Sequence, residues 1–208
     1  MNQRQKIDIF KQALYEMYPD AETELDFENE FQLLVAIIMS AQTTDKQVNK
    51  VNQTFFQHLK SPADGVKMGE EGIRNHIRAV NFFNNKAKNI FKTCEILSHS
   101  PIPRSIEELT KLPGVGIKTA KVFLGVADNA PYLGVDTHVH RVLNRVGFVK
   151  TKTPLETDAK VAKVFTTDDL AKLHHTLILF GRYHCIARKP KCGDCPVKDI
   201  CNYKNKNI

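Results

Sequence analysis

One stretch of this chain determines how the rest is interpreted: Leu112-Pro113-Gly114-Val115-Gly116-Ile117-Lys118-Thr119-Ala120. Two glycines flank one small residue, directly before a run of residues that favour a helix. Pro113 discourages an upstream helix from continuing, and the glycines let the backbone turn sharply and approach a ligand closely. The stretch therefore predicts a helix, a tight turn and a second helix.

The residues around this turn predict an anion site. Upstream, Ser105 and Glu108 have the spacing of a capping box, which starts a helix. The amides of Gly114 and Gly116 and those at the start of the second helix are expected to face outward, where a phosphate can bind them. Lys118 lies in the first turn of that helix, where a cation opposes the helix dipole. We therefore interpret Lys118 as functional rather than as a lysine for solubility.

Composition limits the class of protein. The chain has 208 residues, which is enough for one large domain or two small ones, and 42% are hydrophobic. Its net charge of +7 suits a polyanionic partner, although many basic proteins bind no nucleic acid. The first residues are polar and the longest apolar run, 33–39, is short. We expect no signal peptide, no membrane span and a cytoplasmic location.

Apolar periodicity predicts an all-α protein with about ten helices. No segment shows sustained alternation of apolar and polar residues, and Thr153-Pro154-Leu155-Glu156 is a second capping-box sequence. Cys94 lies on a buried stripe, so we interpret it as a core thiol. The helical stripes include Ile7, Phe10, Leu14 and Met17; the nearly continuous run 31–39; Ile73, Ile77 and Val80; Ala87, Ile90, Phe91, Cys94 and Leu97; and Leu170, Leu173, Leu177 and Phe180.

Four cysteines near the C-terminus predict a metal site. They have the spacing C-x6-C-x2-C-x5-C and are Cys185, Cys192, Cys195 and Cys201. Four soft ligands suit tetrahedral zinc or an iron–sulfur cluster, and the spacing alone does not choose between them. The first loop carries Arg188, Lys189 and Lys191, which could meet a phosphate backbone or form a solvated run of charge.

Three features together resemble one family. The hairpin at 112–120, the sequence Val135-Asp136-Thr137-His138 and the cysteine pattern are similar to the endonuclease III family of helix-hairpin-helix DNA glycosylases. The similarity runs from about Phe31 to the last cysteine. It includes 40–45 (Ser-Ala-Gln-Thr-Thr-Asp), 85–87 (Asn-Lys-Ala) and 181–185 (Gly-Arg-Tyr-His-Cys).

This resemblance implies an all-α fold with two lobes. One is a six-helix barrel at 25–133 that contains the helix-hairpin-helix motif, and the other is a [4Fe-4S] cluster domain formed by 1–24 and 134–208. The implied activity is removal of oxidised pyrimidines from duplex DNA, followed by abasic-site lyase cleavage. Its partner would be double-stranded DNA with damaged pyrimidines or abasic sites. The protein would be a monomer, associated with the nucleoid through DNA.

The resemblance also implies residue roles. Lys118 matches the nucleophile, which forms a Schiff base, and Asp136 matches the catalytic aspartate, although its position also suits a helix N-cap. The four cysteines match the cluster ligands. Gln42 would enter the gap left by the flipped nucleotide and Phe82 would wedge the stack, unless Phe82 is a core aromatic. The DNA contacts would also include Gly114, Gly116, Arg188, Lys189 and Lys191.

Several residues qualify this assignment. Asn81 stands where many relatives have glycine, and Ile117 stands where many have a basic or polar residue. His138 is expected to be a structural hydrogen-bond partner and His140 to face solvent. A mismatch-specific adenine glycosylase is disfavoured because the helix at 33–39 contains no glutamate. A non-catalytic DNA-binding module would not need both Lys118 and Asp136.

Overall fold

The computed structural model describes residues 1–166 and 169–208 of the protein. Within them the structure contains ten α-helices, one short π-helix at Phe180–His184 and no β-strand, which confirms the all-α prediction. In this part of the chain every helix is too short or too polar to cross a membrane. The α-helices are α1 (Gln3–Met17), α2 (Glu30–Ser40), α3 (Asp45–His58), α4 (Pro62–His76), α5 (Phe83–Leu97), α6 (Ile106–Leu109), α7 (Ile117–Ala127), α8 (Thr137–Val146), α9 (Pro154–Val164) and α10 (Leu170–Leu179).

The chain divides into two compact units. Residues Glu24–Asp128 form one, and Met1–Thr23 with Asn129–Ile208 form the other. The first unit contains the six helices α2 to α7, the number that the resemblance implied. The second contains α1, α8, α9, α10 and the π-helix, so the N-terminal helix folds with the C-terminal part of the chain.

Helix α2 is the centre of the first unit. It packs against α3, α5 and α7, and all residues from Phe31 to Met39 are buried, as the apolar run predicted. A helix that is apolar all round is stable only when other elements cover every face. Cys94 on α5 is fully buried, and burial raises the pKa of its thiol to about 12. This agrees with a core thiol rather than a nucleophile.

The helix ends differ in detail from the sequence predictions. Ser105 accepts a hydrogen bond from the Glu108 amide, but the Glu108 carboxylate pairs with Lys111, and α6 has only one turn. At α9 the Glu156 carboxylate accepts from the Lys152 amide, one residue before the N-cap. Both predicted boxes are therefore half formed. Val80, which the periodicity placed on α4, lies beyond the end of that helix.

Phe10 on α1 anchors the second unit. Its side chain is fully buried, with ring centroids 5.0 Å from Phe148 and 6.5 Å from Phe180. Both contacts are edge-to-face, an arrangement that aromatic rings favour. Since Phe180 starts the π-helix that leads to Cys185, the N-terminal helix supports the segment that carries the cysteines.

We predict that Phe10→Ala lowers the free energy of unfolding by roughly 3–5 kcal/mol, because it removes a buried aromatic ring and leaves a cavity. The neighbouring Ile9 is 45% exposed, so Ile9→Ala should change stability by less than about 0.5 kcal/mol. Chemical denaturation followed by circular dichroism measures both. Equal effects of the two substitutions would contradict the packing described here.

Candidate functional site

The glycine-rich turn between α6 and α7 is fixed by buried anchors and hydrogen bonds. Leu112 and Val115 are buried, and the amide of Val115 donates to the carbonyl of Leu112 over 3.1 Å. From α5, the hydroxyl of Thr93 donates to the carbonyl of Pro113 over 3.1 Å. The structure thus confirms the predicted helix, turn and helix, with a first helix of one turn.

The two glycines serve different purposes. Gly114 has φ +81°, a left-handed conformation, and an added Cβ would lie 3.0 Å from Cβ of Asn89. Glycine is therefore required at position 114, both by the left-handed backbone and by the nearby Asn89 side chain. Gly116 has φ −95°, which other residues adopt, and no atom lies within 4 Å of an added Cβ. Glycine at 116 instead leaves open space at the start of α7.

Lys118 is the second residue of α7, and its side chain is exposed. The first turn contains no acidic residue, and Gly116 has no side chain to cap the helix. The amides of that turn therefore lack intrahelical acceptors, and the open space at Gly116 adjoins them. Ile117 beside them is 51% exposed, so an apolar side chain lies in contact with solvent at the helix start.

Asp136 is the N-cap of α8. Its Oδ1 atom accepts hydrogen bonds from the amides of His138 and Val139, each over 2.8 Å. Neither bond uses Oδ2, and the residue is half-buried. One carboxylate oxygen therefore holds the helix start while the other remains for a second task. Lys118 belongs to the unit Glu24–Asp128, and Asp136 belongs to the other unit.

The histidines after Asp136 lie in hydrogen-bond networks. Nδ1 of His138 is 3.2 Å from Nη2 of Arg141, in keeping with the predicted structural role. His140 was expected to face solvent, and this is wrong. Its Nδ1 lies 2.7 Å from the hydroxyl of the buried Thr157 and 3.2 Å from Nδ2 of Asn144. Helical spacing turns residue 140 toward α9.

Gln42 and Phe82 lie on two exposed turns that are bonded to each other. Both have left-handed backbones, with φ 56° and 57°. Asn81 Nδ2 donates to the carbonyl of Gln42 over 2.6 Å, and the Asn81 amide donates to the hydroxyl of Thr43 over 3.2 Å. Phe82 is 62% exposed, so the core interpretation is wrong. Strained backbone at exposed, non-glycine residues is typical of functional sites.

Lys86 lies in the segment 85–87 that resembles the family, but no role was predicted for it from the sequence. It is buried, and its Nζ atom donates to the carbonyls of Met39 and Ala41 over 2.7 and 2.6 Å. Burial lowers the pKa of this lysine to about 8. The available signal was its spacing, because Lys86 falls on the same buried helical face as Ile90.

The four cysteines lie together in the second unit. Cys185, Cys192, Cys195 and Cys201 line one pocket, with about 310 Å³ of empty space that includes open solvent. Burial raises the pKa of Cys195 to about 11 and raises that of Cys185, so metal binding must release their protons. In the described part of the chain, buried Nε2 of His184, another residue of the pocket wall, has no hydrogen-bond partner.

The chemistry of this pocket wall suits an iron–sulfur cluster. Four thiolates are the ligands that hold such clusters. The sulfur atoms of a cluster can also accept a hydrogen bond from a buried imidazole.

Arg145, which the sequence did not indicate, holds the first loop of the cysteine knot. Its Nη1 and Nη2 atoms donate to the carbonyls of Ile186 and Ala187 over 2.7 and 2.8 Å, and its guanidinium stacks on Tyr203 at 4.4 Å. The cations of this loop are all exposed, which suits both contacts with phosphates and a solvated run of charge. They are Arg188, Lys189 and Lys191.

Two family models match this chain. A family model described as HhH-GPD superfamily base excision DNA repair protein matches residues 35–167. A second, described as the iron–sulfur binding domain of endonuclease III, matches residues 185–201 and so includes all four cysteines.

Relatives that match this chain over nearly their whole length are named endonuclease III. Endonuclease III of Haemophilus influenzae is 42% identical over 99% of both chains, and that of Bacillus subtilis is 40% identical over 97% of this chain and 94% of its own. A solved structure of a trapped endonuclease III–DNA covalent intermediate has a TM-score of 0.89 and 39% identity, covering 97% of this chain and 96% of that one.

We predict that the two glycines of the turn respond differently to alanine. Gly114→Ala should lower the free energy of unfolding by about 1–3 kcal/mol, because it forces a side chain into a left-handed backbone beside Asn89. Gly116→Ala should change it by less than about 0.5 kcal/mol. Denaturant titration of both variants tests this, and a reversed order would disprove the distinction.

Proposed function

The chain belongs to the endonuclease III family of base excision DNA repair proteins, and from that membership we propose a two-step reaction. The protein removes an oxidised pyrimidine from duplex DNA, and it then cleaves the strand at the resulting abasic site. The observation that carries this proposal is the exposed position of Lys118 at the start of α7, behind a turn that leaves open space at Gly116.

The hairpin would hold a phosphate of the DNA. Amides at the start of α7 offer hydrogen-bond donors, and the helix dipole favours an anion there. The space above Gly116 lets a phosphate oxygen reach these amides without meeting a side chain. The net charge of +7 adds long-range attraction to the duplex. The damaged nucleotide must leave the stack before its sugar can be reached.

Lys118 would carry out the covalent chemistry. Its uncharged amine attacks C1′ of the damaged nucleotide, and the glycosidic bond breaks as its electron pair leaves with the base, which takes up a proton. Opening of the sugar ring gives a Schiff base. Loss of the C2′ proton then forms a C2′–C3′ double bond while the 3′ phosphate departs. Water hydrolyses the imine and restores the amine.

Asp136 would support the first step. Its Oδ1 atom is held by two amides, which fixes the carboxylate, and Oδ2 is left to stabilise positive charge on the sugar or to move a proton. Gln42 would pair with the base opposite the lesion, and Phe82 would occupy the gap in the stack. Their exposure on neighbouring turns supports both roles.

The protein carries a [4Fe-4S] cluster, and we propose Cys185, Cys192, Cys195 and Cys201 as its ligands. When bound, the cluster joins four points of the C-terminal chain. Arg145 holds the loop after Cys185 through its carbonyls, so that Arg188, Lys189 and Lys191 stay exposed for DNA. The loop would thus bind DNA phosphates.

We propose that residues 25–133 form the six-helix barrel domain and residues 1–24 with 134–208 the cluster domain, with boundaries one and five residues beyond those of the compact unit Glu24–Asp128. The protein would act as a monomer in the cytoplasm, on nucleoid DNA. A single chain contains the proposed nucleophile, carboxylate and cluster ligands.

Lys118→Gln should abolish covalent trapping by borohydride on duplexes that carry an abasic site or an oxidised pyrimidine, because glutamine cannot form a Schiff base. Lys121→Gln, one turn later on α7, serves as the matched control and should retain the adduct. Gel electrophoresis of the adduct measures both. Unchanged trapping in Lys118→Gln would remove this residue from its role.

Asp136→Asn should lower the rate of base release by about 10²–10⁴-fold, because the amide cannot act as a general base or carry negative charge. Stability should change little, since asparagine caps a helix as well as aspartate. Asp136→Ala should lose activity and also about 1 kcal/mol of stability. Single-turnover kinetics and thermal unfolding separate the two roles. Full activity in Asp136→Asn would contradict the assignment.

Cys201→Ser should lose most of the iron and the visible absorbance of the cluster after anaerobic purification, because serine is a poor ligand for iron. Cys94→Ala is the control, since that thiol is buried in the other unit, and it should keep the full iron content. Iron and zinc analysis of both proteins provides the readout. Zinc without iron in the unmodified protein would reject the cluster.

A further inference from the structure

All three N–H donors of Lys86 are taken up by oxygens of the segment 39–43. Its ammonium group has three N–H donors, and Nζ is bonded to the carbonyls of Met39 and Ala41 and to the hydroxyl of Thr43, the last over 3.1 Å. The three acceptors are neutral oxygens. A buried cation is costly to desolvate, so such an arrangement needs all three bonds.

These bonds complete the C-terminus of α2. The last carbonyls of a helix lack intrahelical partners and carry the negative end of the dipole, where a cation is favourable. Lys86 binds the carbonyl of Met39, while the hydroxyl of Ser40 donates to Ile37 and the amide of Thr43 donates to Ser40. The turn from 40 to 43 is therefore bonded on both sides of Gln42.

Asn81 closes the same turn from the other direction. Its side-chain amide binds the carbonyl of Gln42, and its backbone amide binds Thr43. Glycine at this position could not make the side-chain bond. A left-handed conformation is unfavourable for glutamine, so it persists where surrounding groups determine it.

We propose that Lys86 and Asn81 are positioning residues, which fix the backbone of Gln42 so that its side chain meets the base opposite the lesion. This inference rests on the proposed role of Gln42. Lys86 binds residues on either side of Gln42, and Asn81 binds the Gln42 carbonyl directly. Neither residue is required to touch the reacting sugar.

The test compares two duplexes with the same oxidised pyrimidine. In one the lesion faces a normal base, and in the other it faces a base-free sugar analogue. Lys86→Met removes the donors but keeps an unbranched side chain, and Lys88→Met is the matched control because Lys88 is exposed on the same helix. Single-turnover kcat/KM is measured on both duplexes, with Gln42→Ala as the reference.

Lys86→Met and Gln42→Ala should each lower kcat/KM on the order of tenfold when a base faces the lesion, and the double variant should fall no further, because both changes remove one coupled interaction. On the duplex without an opposing base, both losses should largely disappear. Lys88→Met should match the unmodified protein. A general loss of packing would lower activity equally on both duplexes.

Asn81→Gly provides a second variant at an exposed position, should Lys86→Met fail to fold. It should reduce activity in the same duplex-dependent way, by a smaller factor, since it removes one bond. The inference is overturned if Gln42→Ala shows the opposing-base effect but neither Lys86→Met nor Asn81→Gly does. If the unmodified protein releases no base from either duplex, the proposed function fails instead.

Discussion

The left-handed backbone at Gly114 is the constraint on which the proposed chemistry depends. Asn89 occupies the space where a side chain would be, and the buried side chains of Leu112 and Val115 anchor the turn on either side. The chain can therefore turn at Gly114 and begin α7 three residues later, at Ile117. Lys118 is then in the first turn of a helix, exposed beside amides that have no helical acceptor. A longer or looser connection would move the amine away from these donors.

Two cations outside the proposed catalytic set perform the same structural task in the two units. Lys86 binds the carbonyls around the Gln42 turn, and Arg145 binds the carbonyls of the loop after Cys185. Each side chain is at least partly buried and donates several hydrogen bonds at once, which suits binding to backbone carbonyl oxygens. Exposed loops that bind a ligand gain precision when a rigid helix fixes their main chain.

Much of the fold and of the candidate site could be predicted from the sequence. Apolar residues at helical spacing indicate which side chains are buried, and the spacing of the cysteines indicates a metal site. The burial of α2 and of Cys94 on α5 could be predicted from the pattern of apolar residues alone. The capping boxes were half right, because Glu108 and Glu156 find other partners. His140 was misjudged because its partner, Thr157, lies on another helix. Such tertiary contacts are not encoded in local spacing.

The choice between zinc and an iron–sulfur cluster is likewise not encoded in local spacing. Residue types and spacing predicted four thiolate ligands but did not distinguish zinc from an iron–sulfur cluster, and the resemblance to the family was needed for that choice. The family match at residues 185–201 identified the cluster. The roles of Lys86 and Arg145 likewise depend on where distant carbonyls lie after folding.

The most direct measurement is mass-spectrometric mapping of the borohydride-reduced adduct between this protein and DNA with an abasic site. After digestion of the protein and the DNA, we expect a deoxyribose-derived mass on the peptide that contains Lys118, with fragment ions that assign it to this side chain. Modification of the N-terminal amine or of another lysine, with Lys118 unmodified, would contradict the central claim.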